Sequence, residues 1–142
     1  MKSEFIQRIL VPVDGSKHST QAVVTAVKIA ESFSAEIYFI QVKDVHKPAI
    51  DAYLADDILL VNDRIAQSII KSAQQQVPHN ILSYSSILEG QPGKIISDYA
   101  NEIEANLIIM GSRGLGTLKS VILGSVSQEV LAQSKIPVMI CK

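Results

Sequence analysis

The feature that most constrains the fold is an alternation of short, β-branched apolar runs with longer segments of helical period. The run RILVPVD at 8–14 is almost continuously apolar, as expected of a strand buried on both faces. Similar runs lie at 35–42, 81–88, 106–111 and 136–141. Strands separated by helices predict right-handed βαβ crossovers and a parallel sheet with helices on both faces. We therefore expect one doubly wound α/β domain over residues 1–142.

The helices predicted between these strands carry apolar stripes at the i, i+3, i+4 spacing. In the first helix, at 15–33, the inward stripe is Ala22, Val23, Ala26, Val27, Ala30 and Phe33. In the second, at about 53–77, it is Ile58, Ile65, Ala66, Ile69, Ile70 and Ala73. Pro92 takes a first-turn position of the third helix, and Ser125 and Gln128 have capping-box spacing at the fourth.

Charge and composition exclude several classes of protein. The 13 basic and 14 acidic residues give a formal charge of −1 with no long run of either sign, unlike the basic face of a nucleic-acid-binding protein. No apolar stretch approaches the ~20 residues that a membrane-spanning helix needs. The single cysteine, Cys141, cannot form an intramolecular disulfide, which fits a reducing compartment. We expect a cytoplasmic protein that binds neither nucleic acid nor membrane.

Two of the predicted strands have the character of sheet edges. The third carries serines on a face that tolerates water, at Ser83, Ser85 and Ser86. The last begins at Ile136, has a proline near its start and is strongly apolar to its end at Cys141. Exposed apolar edges pair with other chains, so we expect a homodimer formed through this last strand.

The stretch MGSRGLGTLKSVILGSVS, from Met110 to Ser127, places four glycines between the fourth strand and the last helix. Glycine inside a regular element is unfavourable by about 0.5–1 kcal/mol relative to alanine, so a functional reason is expected. In open α/β sheets, ligands bind beyond the carboxyl ends of the strands, where the strand order reverses. The segment VPVDGS, with Asp14 after the first strand, reaches the same edge.

These two segments together predict a nucleotide pocket. Gly124 and Ser125 stand at the start of the last helix, where free backbone N–H groups bind phosphate. Arg113 and Lys119 can neutralise the phosphate charge, and Asp14 can accept from a ribose hydroxyl or hold a metal ion carried on the phosphates.

Two better-known phosphate motifs do not match. The P-loop spacing is present from Gly111 to Gly116, but Thr117 stands where the lysine is required. The dinucleotide fingerprint needs three glycines in the first βα turn, and this turn has only Gly15. The missing glycines therefore argue against an NAD-binding domain.

Gly111 and Gly114, followed by nine residues and then Gly124-Ser125, form a specific arrangement. With ILVPVDGS near the start and IPVMIC at the end, the chain resembles the universal stress protein family over essentially its whole length. The resemblance implies a flavodoxin-like sheet in the order 3-2-1-4-5, ATP binding with Mg²⁺ or Mn²⁺ on the phosphates, and dimerisation through the fifth strand.

The resemblance also implies a set of cofactor-binding residues. Those that would line the adenine and ribose are Pro12, Val13, Asp14 and, through its backbone, Val42. Those that would border the ribose and phosphates are Gly111, Arg113 and Gly114, and those that would hold the phosphates are Gly124, Ser125 and Val126. Met110 and Ser127, at the two ends of the glycine-rich stretch, complete the set.

No catalytic or metal-ligating residue is predicted. His18, His46 and His79 show no metal-ligand spacing, and we expect His18 to be solvated. The serines lack an identifiable histidine–acid pair, and no general base for hydrolysis is evident.

The leading interpretation is therefore an ATP-binding stress-response or regulatory protein. Two alternatives stay open: a slow ATPase or other enzyme of phosphate chemistry, and a dimeric interaction module that binds no nucleotide. A flavodoxin-like electron carrier is disfavoured, because aromatic residues that could stack on a flavin make up only 5% of the chain.

Overall fold

The computed structural model describes residues 5–44, 52–114 and 122–142, with the backbone alone described at 52–59. Its elements are β1 (Arg8–Pro12), α1 (Lys17–Phe33), β2 (Glu36–Lys43), α2 (Ala52–Gln74), β3 (Ser83–Glu89), α3 (Pro92–Glu102), β4 (Leu107–Gly111), α4 (Ser125–Gln133) and β5 (Val138–Cys141). The sheet is entirely parallel, in the order β3-β2-β1-β4-β5. This confirms the predicted doubly wound fold and its two edge strands. Lys119, a candidate for neutralising the phosphate charge, and His46, which is not expected to bind a metal, lie outside the described residues.

The alternation of side chains along the central strands divides the core into two layers. In β1, Ile9 and Val11 pack on the side of α1 and α2, whereas Leu10 packs on the side of α3 and α4. In β2, Phe39 and Ile40 divide between the two layers in the same way. Successive strand residues point to opposite faces, so a strand covered on both faces needs a continuous apolar run. Full burial of such side chains contributes about 1.5–3 kcal/mol each.

Several element ends differ from the sequence prediction for local reasons. β1 stops at Pro12 because the chain turns at Asp14, whose Oδ1 accepts from the N–H of Ser16 at 2.8 Å. β3 starts later than predicted because Ile81 belongs to a turn in which its N–H donates to the carbonyl of Pro78 at 3.1 Å. α2 ends before Val77, whose N–H donates to the carbonyl three residues back at 3.1 Å.

The predicted inward stripe of α2 is wrong at Ile65. Ala66, Ile70 and Ala73 are buried as predicted, and Ile69 is half-buried against the same core. Ile65 is instead 52% exposed. Residue 65 lies about 100° around the helix from residue 66, so it falls beside the buried stripe, at the carboxyl end of the sheet. The side chain of Ile58 is outside the described residues.

The central strands separate at their carboxyl ends. β1 pairs with β2 over its whole length, from Arg8 with Glu36 to Pro12 with Ile40. Its register with β4 covers only Ile9 with Leu107 and Leu10 with Ile108. The strand order reverses between β1 and β4, which is where ligand crevices form in open α/β sheets.

Candidate functional site

A cavity of about 570 Å³ lies at this point, beyond the carboxyl ends of β1, β2 and β4. A volume of this size is typical of small-molecule sites, which span roughly 300–1,000 Å³. The structure places every residue of the predicted cofactor-binding set around it: Pro12, Val13, Asp14, Val42, Met110, Gly111, Arg113, Gly114, Gly124, Ser125, Val126 and Ser127.

The cavity has two chemically different sides. Towards β2 and α2 its lining is largely apolar, with Ile40, Val42, Ile65 and Ile69 beside the polar Gln41 and Asp44. Towards β4 and α4 the lining includes the backbone of Gly111, Gly114 and Gly124 together with Arg113, Ser125 and Ser127. A ligand with one flat apolar part and one anionic part suits this division.

On the β1 side, side chains of the turn cap the N-terminus of α1. Ser16 is the N-cap, and its Oγ accepts from the N–H of Ser19 at 3.1 Å. The hydroxyl of Ser19 in turn accepts from the N–H of Asp14 at 3.2 Å. These bonds hold the turn in shape, and the turn contributes a carboxylate, Asp14, to the cavity.

On the β4 side, the N-terminus of α4 is open. Its N-cap is Gly124, which has no side chain to accept a hydrogen bond, and the first helical bond runs from the N–H of Gln128 to the carbonyl of Gly124 at 3.0 Å. Within the described part of the chain, no group accepts from the N–H groups of Ser125, Val126 and Ser127. Unpaired N–H groups at a helix start form an anion site, strengthened by the positive end of the helix dipole.

The capping box predicted for α4 is wrong. The helix begins one residue earlier than that pattern requires, with Gly124 rather than Ser125 as the N-cap. The side-chain amide of Gln128 donates instead to the carbonyl of Leu123 at 2.9 Å. Ser125 is consequently exposed at the cavity rather than occupied as a cap.

Ser127 holds the glycine-rich strand end in place. Its hydroxyl lies 2.8 Å from the carbonyl of Gly111 and 3.2 Å from that of Ser112, and the residue is buried. The N–H of Gly124 also donates to the carbonyl of Ser112 at 2.7 Å. These bonds tie the start of α4 to the end of β4 and fix the direction of its free N–H groups.

Two of the glycines stand where a larger residue has no room. A Cβ on Gly111 would lie 2.7 Å from the carbonyl carbon and 2.8 Å from the Cβ of His18. A Cβ on Gly114 would overlap the Oδ2 atom of Asp14. The two rims of the cavity therefore approach each other closely at these points, and this spacing explains part of the glycine pattern.

The expectation that His18 is solvated is wrong. Its Nδ1 lies 2.8 Å from the Oγ of Ser112, and its Nε2 lies 3.1 Å from a guanidinium nitrogen of Arg113. The imidazole is half-buried between the first turn of α1 and the end of β4. Sequence separation of more than ninety residues hid both contacts, because only the β1–β4 adjacency brings the two segments together.

Sequence reasoning missed other lining residues. Ser16, Ser19 and Gln41 contribute polar atoms, and among described side chains the Oε1 of Gln41 is buried with no hydrogen-bond partner. The remaining lining residues that were missed are Ile40, Asp44, Ile65, Ile69, Pro92 and Ile96. Gln41 had a usable signal, since a polar residue interrupts the apolar run of β2 just before its predicted end.

An ion-pair cluster lies at the rim, next to Val42. The Nζ of Lys43 contacts Asp63 of α2, and it lies 3.0 Å from the Oε1 of Glu89 at the end of β3. The hydrogen bonds to Asp63 and then Glu89 raise the pKa of Lys43 above its ordinary value of 10.5. The ammonium therefore stays charged at neutral pH and links α2 to the carboxyl ends of two strands.

The family model for the universal stress protein family matches residues 6–142. The chain belongs to this family. One relative of this chain is a universal stress protein of Methanocaldococcus jannaschii. The two are 32% identical over 141 residues, which cover 96% of this chain and 82% of the relative.

Solved structures share its fold. The universal stress protein UspA of Lactobacillus plantarum superposes with a TM-score of 0.85 at 25% identity, over 99% of this chain and all of that one. A universal stress protein described as a complex with cAMP has a TM-score of 0.65 at 25% identity, over 98% and 99% of the two chains.

Among the described residues, no helix combines the length and the apolar character that crossing a membrane requires.

Proposed function

We propose that this universal stress protein binds ATP in the crevice between β1 and β4 and acts as a nucleotide-dependent regulatory protein in the stress response. The observation that carries the proposal is the start of α4, where the N–H groups of Ser125, Val126 and Ser127 have no acceptor among the described residues and border the same cavity as an apolar wall. Polyphosphate satisfies the first feature and a nucleobase the second.

The residues around the cavity fit each part of the ligand. The N–H groups of Ser125, Val126 and Ser127 and the hydroxyl of Ser125 would hold phosphate oxygens, with Arg113 neutralising their charge. Because Gly114 has no Cβ, its backbone can lie close to Asp14. An added Cβ would overlap the Oδ2 atom of Asp14.

The remaining predicted residues form the nucleoside end. The backbone of Val42 would contact adenine, Asp14 would accept from a ribose hydroxyl, and Pro12, Val13 and Met110 would complete the wall. The structural relative solved in complex with cAMP supports an adenine nucleotide as the ligand class.

We propose that Mg²⁺ or Mn²⁺ enters with the nucleotide. No group of three or more His, Cys, Asp and Glu side chains converges to form a metal site within 5–44, 60–114 and 122–142. Phosphate oxygens would then supply most of the ligands, as is usual for Mg²⁺ on nucleotides. The cation would screen the phosphate charge. Asp14, which lines the cavity, is the carboxylate that the sequence predicts to hold this cation.

We also propose that the chain acts as one nucleotide-binding domain in the cytoplasm, as a homodimer paired through β5. In this arrangement bound nucleotide biases the shape of the dimer or the choice of a protein partner. Binding without appreciable turnover is the expected behaviour, because the cavity offers phosphate donors and no identified general base.

The first experiment is to denature freshly purified protein, identify any released nucleotide by mass spectrometry, and then titrate stripped protein with ATP and Mg²⁺ by calorimetry. Gly114→Val should weaken binding, because the new side chain would displace the carboxylate of Asp14, a residue of the proposed site. Ser125→Ala should weaken ATP about tenfold or more, since hydrogen bonds to charged groups contribute about 1.5–3 kcal/mol.

Ser32→Ala is the matched control, because it removes an exposed hydroxyl on α1 that donates to the carbonyl of Lys28 and does not line the cavity. Its affinity should equal that of the wild type. A wild type that is purified empty and ignores millimolar ATP, ADP and AMP overturns the proposal and favours the interaction module. ATP turnover above buffer controls, lost in Ser125→Ala, would favour the slow ATPase instead.

A further inference from the structure

Next to the proposed phosphate end lies a histidine that does not line the cavity. His18, in the first turn of α1, contacts two consecutive residues that follow β4, Ser112 and Arg113. Arg113 lines the cavity, whereas Ser112 is only 1% exposed and is not part of the lining. His18 is therefore a bridge between a buried hydroxyl and the arginine side chain of the site.

The chemistry of the partners selects one tautomer of the neutral imidazole. A guanidinium has only donors, so the Nε2 of His18 must carry a lone pair to accept from Arg113 at 3.1 Å. The proton of the neutral ring then sits on Nδ1, which donates to the Oγ of Ser112 at 2.8 Å. The opposite tautomer, and the imidazolium, would both place an N–H against the arginine.

The backbone around this bridge leaves the imidazole little freedom. Gly111 packs so closely on α1 that an added Cβ would stand 2.7–2.9 Å from backbone and Cβ atoms of His18 and Ser19. The Oγ of Ser112, which bonds the Nδ1 of His18, belongs to a buried residue that directly follows Gly111 in the chain. His18 is thus held at both its backbone and its ring, and it offers Arg113 a fixed acceptor.

We propose that His18 is a positioning residue that orients Arg113 for the anionic part of the nucleotide. Arginine loses more side-chain entropy on ordering than most residues, and an acceptor already in place reduces that loss when phosphate binds. The inference rests on the proposed nucleotide binding and adds to it a residue and a tautomer. It requires that His18 affect the binding of phosphate groups and leave the binding of the nucleoside unchanged.

Three substitutions at His18 separate positioning from general packing. His18→Gln keeps an acceptor at the reach of Nε2, and His18→Asn reaches only as far as Nδ1, so it can bond Ser112 without reaching Arg113. His18→Ala removes both contacts. Ordering one long side chain corresponds to an affinity change of roughly three- to tenfold.

Calorimetry with ATP and with adenosine, each with Mg²⁺, supplies the first test. We expect His18→Ala and His18→Asn to weaken ATP by roughly three- to tenfold and to leave adenosine unchanged, with His18→Gln close to wild type for both. Equal ATP affinity in all four proteins overturns the inference while the proposed function stands. Parallel loss of ATP and adenosine in all three variants also overturns it, because that pattern reports only packing. A wild type that binds neither ligand overturns the proposed function itself.

A measurement on the nucleotide-free protein tests the tautomer separately. ¹⁵N-correlated NMR of the histidine side chains should show the neutral ring of His18 in the tautomer that carries its proton on Nδ1 and its lone pair on Nε2. Substitution Arg113→Met should shift the Nε2 resonance, since the guanidinium is its hydrogen-bond donor. An Nε2-protonated ring, or a resonance indifferent to Arg113→Met, overturns the inference without reference to any ligand.

Discussion

At the residue scale, the cavity depends on positions where the main chain itself is a neighbour. Gly111 lies against the backbone of α1, and Gly114 lies against a carboxylate. Gly124 is different, because a Cβ there would meet its nearest atom, the Cα of Arg113, at 3.4 Å. The same residue type thus serves close packing at one site and an uncapped helix start at another.

The different surroundings of Gly111 and Gly124 predict different stabilities for their alanine variants. Gly111→Ala should lower the free energy of unfolding by about 1–3 kcal/mol, since backbone atoms that cannot move aside meet the new methyl group. Gly124→Ala should lower it by less than about 1 kcal/mol, the usual range for a changed N-cap. Urea unfolding followed by circular dichroism measures both. Equal losses in the two variants would contradict the geometric assignment.

The residue scale is also where sequence reasoning was least complete. The glycine spacing and Asp14 were recognisable because each lies within a short, continuous motif. The contacts of His18 were not, because they join residues 94 and 95 positions apart. The capping box failed for another reason, since Gly124 and Ser125 both tolerate the N-cap position and the sequence does not show which one takes it.

At the element scale, α1 and α4 begin at the same cavity, one with a side-chain cap and the other without. α1 is capped by Ser16, whereas α4 presents N–H groups that no described residue bonds. α2 adds an apolar rim through Ile65, which the helical period placed in the core and the structure places at the surface. A stripe of period 3.6 identifies the helix, but the boundary of its buried face is set by the neighbouring strands.

The link between α2 and the sheet gives a pH-dependent prediction. Asp63 and Glu89 raise the pKa of Lys43, so its contribution to stability is complete below 10.5 and is lost as the pH rises through the raised value. Lys43→Met should therefore be less stable than wild type at neutral pH, and the two proteins should converge at strongly alkaline pH.

Urea unfolding at about pH 8 and about pH 11 spans the ordinary lysine pKa. Lys28→Met is the control, because Lys28 is an exposed lysine on α1, whereas the partners of Lys43 lie on α2 and β3. If the difference between wild type and Lys43→Met stays constant over this range, the ion pairs do not hold α2 in place.

At the scale of the whole molecule, the sequence predicted the sheet and its edges, since continuous apolar runs identify buried central strands. The serines of β3 and the proline before β5 marked the edges, and both strands lie there. The register that opens the crevice was not predictable, because it depends on where β1 and β4 stop pairing. The position of the cavity at the switch point follows from the strand order, whereas the volume and the lining of the cavity follow from side-chain packing.

The free edge at β5 leads to a prediction about assembly. Met139 is 38% exposed, whereas its neighbours Val138 and Ile140 pack partly into the core. In a symmetric dimer paired through β5, Met139→Lys brings two lysines into one interface while the core contacts remain. Like charges at an interface are unfavourable by several kcal/mol, so the dimer should dissociate roughly tenfold or more readily.

Ser85→Lys, an equivalent charge on the exposed edge strand β3, should leave association unchanged. Analytical ultracentrifugation over a concentration series measures both variants. A dimer that survives Met139→Lys but weakens with Ser85→Lys would place the interface at the opposite edge of the sheet, and a wild type that is monomeric throughout would remove β5 pairing from the proposed function.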